Sequence, residues 1–192
     1  MRPFVDYETT PEFAASEKLP AGAYVVKIKR AEESGDALCI LFDIDEGEFK
    51  GYYMDRFRSD KKNYPDSAKF RGVYRLWYPS GKEYDDTNKK RMKTVLKLIK
   101  EENKLSVDFT KEWDGNALKG AKLALVFQDQ EYDYNGRHGF TAQPYGVITM
   151  ENYKNGKFTV PAPKRLKSGN NADYNNEPGE TSFVSNDEDL PF

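Results

Sequence analysis

One cysteine and one histidine among 192 residues leave little material for covalent or metal chemistry. Cys39 has no second thiol with which to form an internal disulfide, which fits a reducing compartment. Cys39 and His138 together fall short of the four nitrogen and sulfur ligands that zinc takes in a structural site. Gly115 and Gly120 are not followed by Lys-Ser or Lys-Thr, so there is no phosphate-cradling loop. The run Asp43-Ile44-Asp45-Glu46-Gly47 lacks the third oxygen ligand before its glycine and the spaced closing glutamate of a calcium loop. It reads as a strand end and turn. No set of carboxylates stands out as a nuclease centre, and His138 reads as a polar loop residue beside a hairpin tip. The expectation is a protein that is not an enzyme and holds neither cofactor nor metal. Long apolar runs are missing too, and residues 1–7 are mixed in character, so a soluble, cytoplasmic protein without a membrane segment is expected.

Rings and charge are abundant. Aromatic residues make up 14% of the chain, with 13 Tyr and 12 Phe against 2 Trp, a bias that suits strands and also suits a surface on which bases stack. Charged residues make up 32%, and the net charge of −2 conceals a division. From residue 166 onward one Lys faces six acids, so the preceding 165 residues carry a net +3. Between Arg56 and Arg75, seven basic residues face two acids. Such asymmetry points to a polyanion partner for the body and a different partner for the tail.

Residues 1–21 lack periodicity and form an arm. Residues 23–30 alternate as a half-buried strand, with Tyr24, Val26 and Ile28 on one face and Val25, Lys27 and Lys29 on the other. After a turn at 33–36, a second strand over 37–44 places Leu38, Ile40, Phe42 and Ile44 inward. Residues 52–58 read as extended, a basic loop follows around 61–65, and 69–78 reads as extended again. A helix starts near Asp86 or Thr87, with Met92, Val95, Leu96 and Ile99 as its apolar stripe and Lys89, Lys90, Lys93, Lys97 and Lys100 opposite. Residues 121–134 and 137–150 form two strands joined at Asn135-Gly136, a strong signal for a two-residue turn. From 161 the chain is rich in Pro, Asn, Gly and Ser and reads as disordered linker. The fold class expected is mainly β: an OB-fold, a five-stranded Greek-key barrel over 22–160 with one helix between strands 3 and 4, followed by a disordered acidic tail over 161–192. A β-rich α+β sheet of another topology is the alternative.

Three stretches interleave rings with cations, the combination that binds single-stranded nucleic acid through phosphates and base faces. They are Arg56-Phe57-Arg58 with Lys61 and Lys62, then residues 70–78, then residues 132–140 at the hairpin tip. Strand alternation in the second puts Arg71, Val73, Arg75 and Trp77 on a binding face and Phe70, Tyr74, Leu76 and Tyr78 in the core. In the third, Tyr132, Tyr134, Arg137 and Phe140 are the candidate contacts. For any one of these rings packing is as good an explanation as stacking, and their repeated pairing with Arg and Lys favours binding.

The chain ends on Asp187, Glu188, Asp189, Leu190, Pro191 and Phe192, three carboxylates running into a short apolar hook. A ring for a pocket, a proline that limits conformational freedom and acids for a basic rim make a docking peptide. This end resembles the acidic tip of bacterial and phage single-stranded DNA-binding proteins. Further segments carry a resemblance across the chain to phage-encoded single-stranded DNA-binding proteins of Gram-positive hosts. These are residues 16–24 (SEKLPAGAY), 42–53 (FDIDEGEFKGYY) and 118–123 (LKGAKL). The resemblance implies an OB fold and cooperative, sequence-independent coating of single strands in the host bacterial cytoplasm during phage replication, recombination and repair. It also implies a tail that recruits replication or recombination proteins, and it assigns no base-contacting residue. Whether copies of the chain assemble into a homo-oligomer is left open. A phage recombination accessory or scaffold that never touches DNA is the alternative from another class.

Overall fold

β1 (Gly22–Ser34) is the strand from which the rest of the sheet is built. The computed structural model describes residues 8–9, 18–81, 84–134 and 136–166. The C-terminal part of β1 pairs antiparallel with β2 (Ala37–Ile44), from Val26 opposite Ile44 to Ser34 opposite Ala37. Its N-terminal part pairs antiparallel with β4 (Lys122–Tyr134), from Gly22 opposite Phe127 to Lys27 opposite Lys122. β3 (Val73–Trp77) joins outside β2, and β5 (Arg137–Ile148) joins outside β4. The result is one five-stranded antiparallel sheet in the order β3-β2-β1-β4-β5. The pairing of β1 with β2 shifts between Ile28 and Arg30, a bulge that breaks the alternation and strengthens the local twist.

One face of this sheet holds the core. Val26, Ile28, Leu38, Ile40, Phe42, Ile44, Leu123, Leu125 and Phe127 are all buried there, as the alternation predicts for β1 and β2. α2 (Asp85–Glu102) closes one side with Val95, Leu96 and Ile99 buried and Met92 partly so. This helix lies between β3 and β4, where one is expected. It begins a residue earlier than the predicted cap: Asp85 accepts the amides of Ser80 (2.8 Å) and Gly81 (2.5 Å). α3 (Met150–Lys154) packs against β1 and β4, where Val25, Ala124 and Val126 are buried although they point away from the main core. Among the described residues no helix is long and apolar enough to cross a membrane.

α1 (Tyr52–Asn63) corrects the sequence reading, which expects 52–58 to be extended and Lys61 and Lys62 to lie in a loop. Its cause lies at the end of β2. The buried Asp43 carboxylate accepts the amides of Tyr53 (3.0 Å) and Met54 (3.3 Å), satisfying donors that the first helical turn leaves open. Gly51, at φ 82°, turns the chain into the helix. Tyr53 then packs edge-on to Phe42, with ring centroids 5.4 Å apart, and Phe57 lies one turn on and 5.9 Å from Phe70. The core holds these rings, and hydrophobic spacing at i, i+4 gives the helix its buried side.

After α1 the chain returns to the sheet through Gly72. The Gly72 carbonyl accepts the Phe42 amide at 2.8 Å, and a Cβ at position 72 would sit 2.2 Å from the Phe42 carbonyl oxygen. Gly72→Ala is therefore expected to destabilise the protein by about 2 kcal/mol or more, measured by urea denaturation, because backbone has to move to admit the methyl. Asp43→Ala should cost about 1–3 kcal/mol by orphaning two helical amides. Burial pushes the Asp43 carboxyl above its ordinary range, against the pull of its backbone hydrogen bonds. The folded state thus holds this proton more tightly than the unfolded chain does. The Asp43 contribution should fall as pH rises from the ordinary carboxylate value to the raised one, then level off. A stability difference from Asp43→Ala that instead grows across that window contradicts this sign.

Candidate nucleic-acid interface

The sheet has a second face, on which β1 and β3 show Arg30, Trp77 and part of Val73 and Arg75 to solvent, while β2 contributes the half-buried Leu41 and the buried Ala37 and Cys39. Pairing aligns its side chains in rows across the strands. Arg30, Leu41 and Val73 form one row, Glu32, Cys39 and Arg75 the next, and Ser34, Ala37 and Trp77 the third. Leu41 and Val73 are half-buried, Trp77 is 45% exposed, Ala37 and Cys39 are buried, and the middle row carries the charges of Glu32 and Arg75. Cations flank this strip. The bulge leaves Lys29 unpaired and lets it and Arg30 both reach solvent, and Arg71 is exposed just before β3. Arg75 is half-buried beside Cys39. Arg30 is ion-paired with Glu32. Burial pushes the Cys39 thiol up, with the nearby Arg75 pulling the other way.

This is where alternation places Arg71, Arg75 and Trp77, and the inward set expected from the same stretch is buried as well: Phe70, Tyr74 and Leu76 are core residues. Tyr78 is half-buried and donates its hydroxyl to Glu33 at 2.8 Å, and burial together with that acceptor pushes its pKa up to about 12. Sequence reasoning did not single out Arg30 and Leu41. The signal was present in the break of alternation at Lys29-Arg30-Ala31, where two cations precede a small residue.

The second part of the site is the hairpin formed by β4 and β5. Tyr134 stands directly opposite Arg137, and Tyr132 opposite Gly139, on the sheet face away from the core. Tyr134 is 64% exposed, Arg137 is exposed and Tyr132 is half-buried. Gly136 has φ 73°, as the turn requires, while Asn135 lies outside the described residues. Phe140 is a different case. It pairs across from Glu131 on the opposite face, half-buried beneath the Arg165 guanidinium, 5.6 Å from the ring centroid. It does not share a surface with Tyr132 and Tyr134.

The first stretch is also redistributed by α1. Arg56 donates to the Tyr52 hydroxyl (3.1 Å), Phe57 packs on Phe70, and Arg58 is paired with Asp55 (3.3 Å). Lys61 donates to the Pro65 carbonyl at 2.8 Å, and Lys62 is exposed in the same last turn. Tyr53 and Phe57 turn into the core, and Arg56, Arg58, Lys61 and Lys62 lie on this helix and not on the strands of the strip. The tip residues Asp187, Glu188, Asp189, Leu190, Pro191 and Phe192 lie outside the described residues.

The other tryptophan, Trp113, sits edge-on to Phe109 (5.1 Å) over the end of β1, beside a hollow of about 270 Å³ that Glu32, Glu33 and Glu112 help to line.

The strip can therefore offer the Trp77 π-face, apolar area and guanidinium groups on one surface. If Trp77 belongs to that surface and not to the core, Trp77→Ala should cost about 0.5 kcal/mol or less in urea denaturation, whereas Tyr74→Ala should cost about 3 kcal/mol or more. Equal costs would make Trp77 a buttress of the fold.

Comparison of the chain with protein-family models and with curated proteins finds no match in either.

Proposed function

We propose that the protein binds single-stranded DNA without sequence specificity, coating and protecting it during phage DNA replication, recombination and repair. The observation that carries this reading is the outward face of β1–β3, where Trp77, Leu41 and Val73 lie among Lys29, Arg30, Arg71 and Arg75. Single strands need these two things, stacking surfaces and cations that follow a backbone, and need no groove-reading helix. The hairpin adds Tyr132, Tyr134 and Arg137 on the corresponding side of the sheet. We read the sheet itself as an OB-type barrel. A three-strand meander, a hairpin on the other flank of β1, and a helix between β3 and β4 support that topology, as does the split pairing of the long, bulged β1.

On this reading the strip takes bases through Trp77 and phosphates through the arginines, with the hairpin folding over the strand. The C-terminal tip, tethered by a polar linker, recruits replication or recombination proteins through Leu190, Pro191 and Phe192, with its acids meeting a basic rim.

A titration with oligo-dT at two salt concentrations, followed by tryptophan fluorescence, tests the first part. Quenching should come from Trp77 and vanish in Trp77→Ala, which should bind about 1–3 kcal/mol more weakly. Arg75→Ala should reduce the slope of log affinity against log salt by about 1. Duplex DNA should compete poorly; equal competition, or no quenching at low salt, contradicts the reading and leaves a scaffold that acts through protein contacts. The tail is tested separately by pull-down of replication proteins with the full chain, a form lacking residues 186–192, and Phe192→Ala. Capture should be lost in both altered forms while their melting temperatures stay unchanged, and identical capture by all three contradicts a docking role.

A further inference from the structure

The β4–β5 hairpin continues past the rest of the sheet. β1 begins at Gly22, opposite Phe127, so from Gln128 onward β4 has β5 on one side and no β1 on the other. A two-stranded ribbon is marginal in water on its own. Here a third strand is supplied from the segment that follows α3. Lys164 bridges Gln130 in parallel: its amide donates to the Asp129 carbonyl, its carbonyl accepts the Glu131 amide, and both bonds are 2.8 Å. On either side of that bridge, the Gln128 side chain donates to the Ala162 carbonyl (2.6 Å) and the Leu166 amide donates to the Glu131 carboxylate (3.0 Å). Arg165 reaches over the edge, 3.9 Å from Glu131 and above the Phe140 ring.

We propose that residues 162–166 are a strap that holds the hairpin in the pose in which Tyr132, Tyr134 and Arg137 meet nucleic acid, with Glu131 and Arg165 as positioning residues; this rests on the nucleic-acid reading above. The geometry divides the hairpin into two sides with different tasks. One side carries Tyr132, Tyr134 and Arg137. The other carries Asp129, Glu131 and Asp133, which repel phosphate; the strap's backbone runs along the β4 edge between the two, and its Arg165 lies on the acidic side between Glu131 and Phe140. Phe140 is thereby an anchor for the strap instead of a platform for a base. Pinning the ribbon along its open edge, with Arg165 on the acidic side, reduces the ordering that binding would otherwise require on its aromatic side.

Sign separates positioning from plain electrostatics. Removing a negative charge near a DNA site tightens binding if charge alone matters. Glu131→Ala in the full chain should instead weaken oligo-dT binding about three- to tenfold, because the Arg165 clamp and the Leu166 hydrogen bond go with it. Lys164→Pro, which removes the amide donated to Asp129, should bind about three- to tenfold more weakly than Lys164→Gln at the same net charge, with an unchanged salt slope. Hydrogen exchange at the Glu131 amide should quicken about tenfold in Lys164→Pro relative to Lys164→Gln. If Glu131→Ala binds as well as or better than the unaltered chain, or if the two Lys164 variants bind alike, the strap does not position the site. That failure is distinct from failure of the nucleic-acid reading, in which the unaltered chain itself does not bind oligo-dT; such a result overturns both.

Discussion

The outward face exists because β1 serves two neighbours in succession. Its first residues pair with β4, its last with β2, and Val26 and Lys27 pair with both. A straight strand would give both neighbours the same length of flat sheet; the bulge at Lys29 instead lets β1 turn as it changes its main partner. That turn wraps β2 and β4 around one core, in which Phe42 and Phe127 meet edge to face at 6.0 Å. It also leaves Trp77 exposed, and Leu41, Val73 and Arg75 partly so, on the other side. The cationic and apolar strip is thus the direct consequence of where β1 bends.

Much of this was legible in the sequence, in the places where local pattern and tertiary burial agree. The alternation of 23–28 and 37–44 and the stripe of Val95, Leu96 and Ile99 each reflect a surface half in and half out of the core. The inward and outward sets of β3 follow from the same rule, which is why Trp77 and Tyr74 end on opposite sides. The turn at Gly136 declares itself through two residues alone. Rings paired with cations are less specific. Of the three stretches chosen on that pattern, β3 retains its pattern on one face, the hairpin divides its pattern between two faces, and α1 commits its ring, Phe57, to core packing.

What was not legible depends on partners distant in the chain. α1 carries Tyr52, Tyr53, Phe57 and several charges, a composition that fits an extended segment as well as a helix. The helix is selected by Asp43, whose carboxylate reaches amides ten and eleven positions on, and by the burial of Tyr53 against Phe42. The segment at 162–166 has no strand signature, and composition made it linker. It is held by hydrogen bonds to an edge that β1 leaves open, a vacancy invisible without the register of β1 against β4. In both cases tertiary context overrides a weak local preference.

The central claim is that one side of the sheet, and not the many rings elsewhere, meets single-stranded nucleic acid. Ultraviolet crosslinking of oligo-dT to the full chain, with the adducts mapped by mass spectrometry, tests it most directly. The account predicts adducts at Trp77, Tyr132 and Tyr134 and none at Phe57, Trp113 or Phe140. Adducts concentrated on Phe57 and Phe140, with Trp77 unmodified, would contradict it.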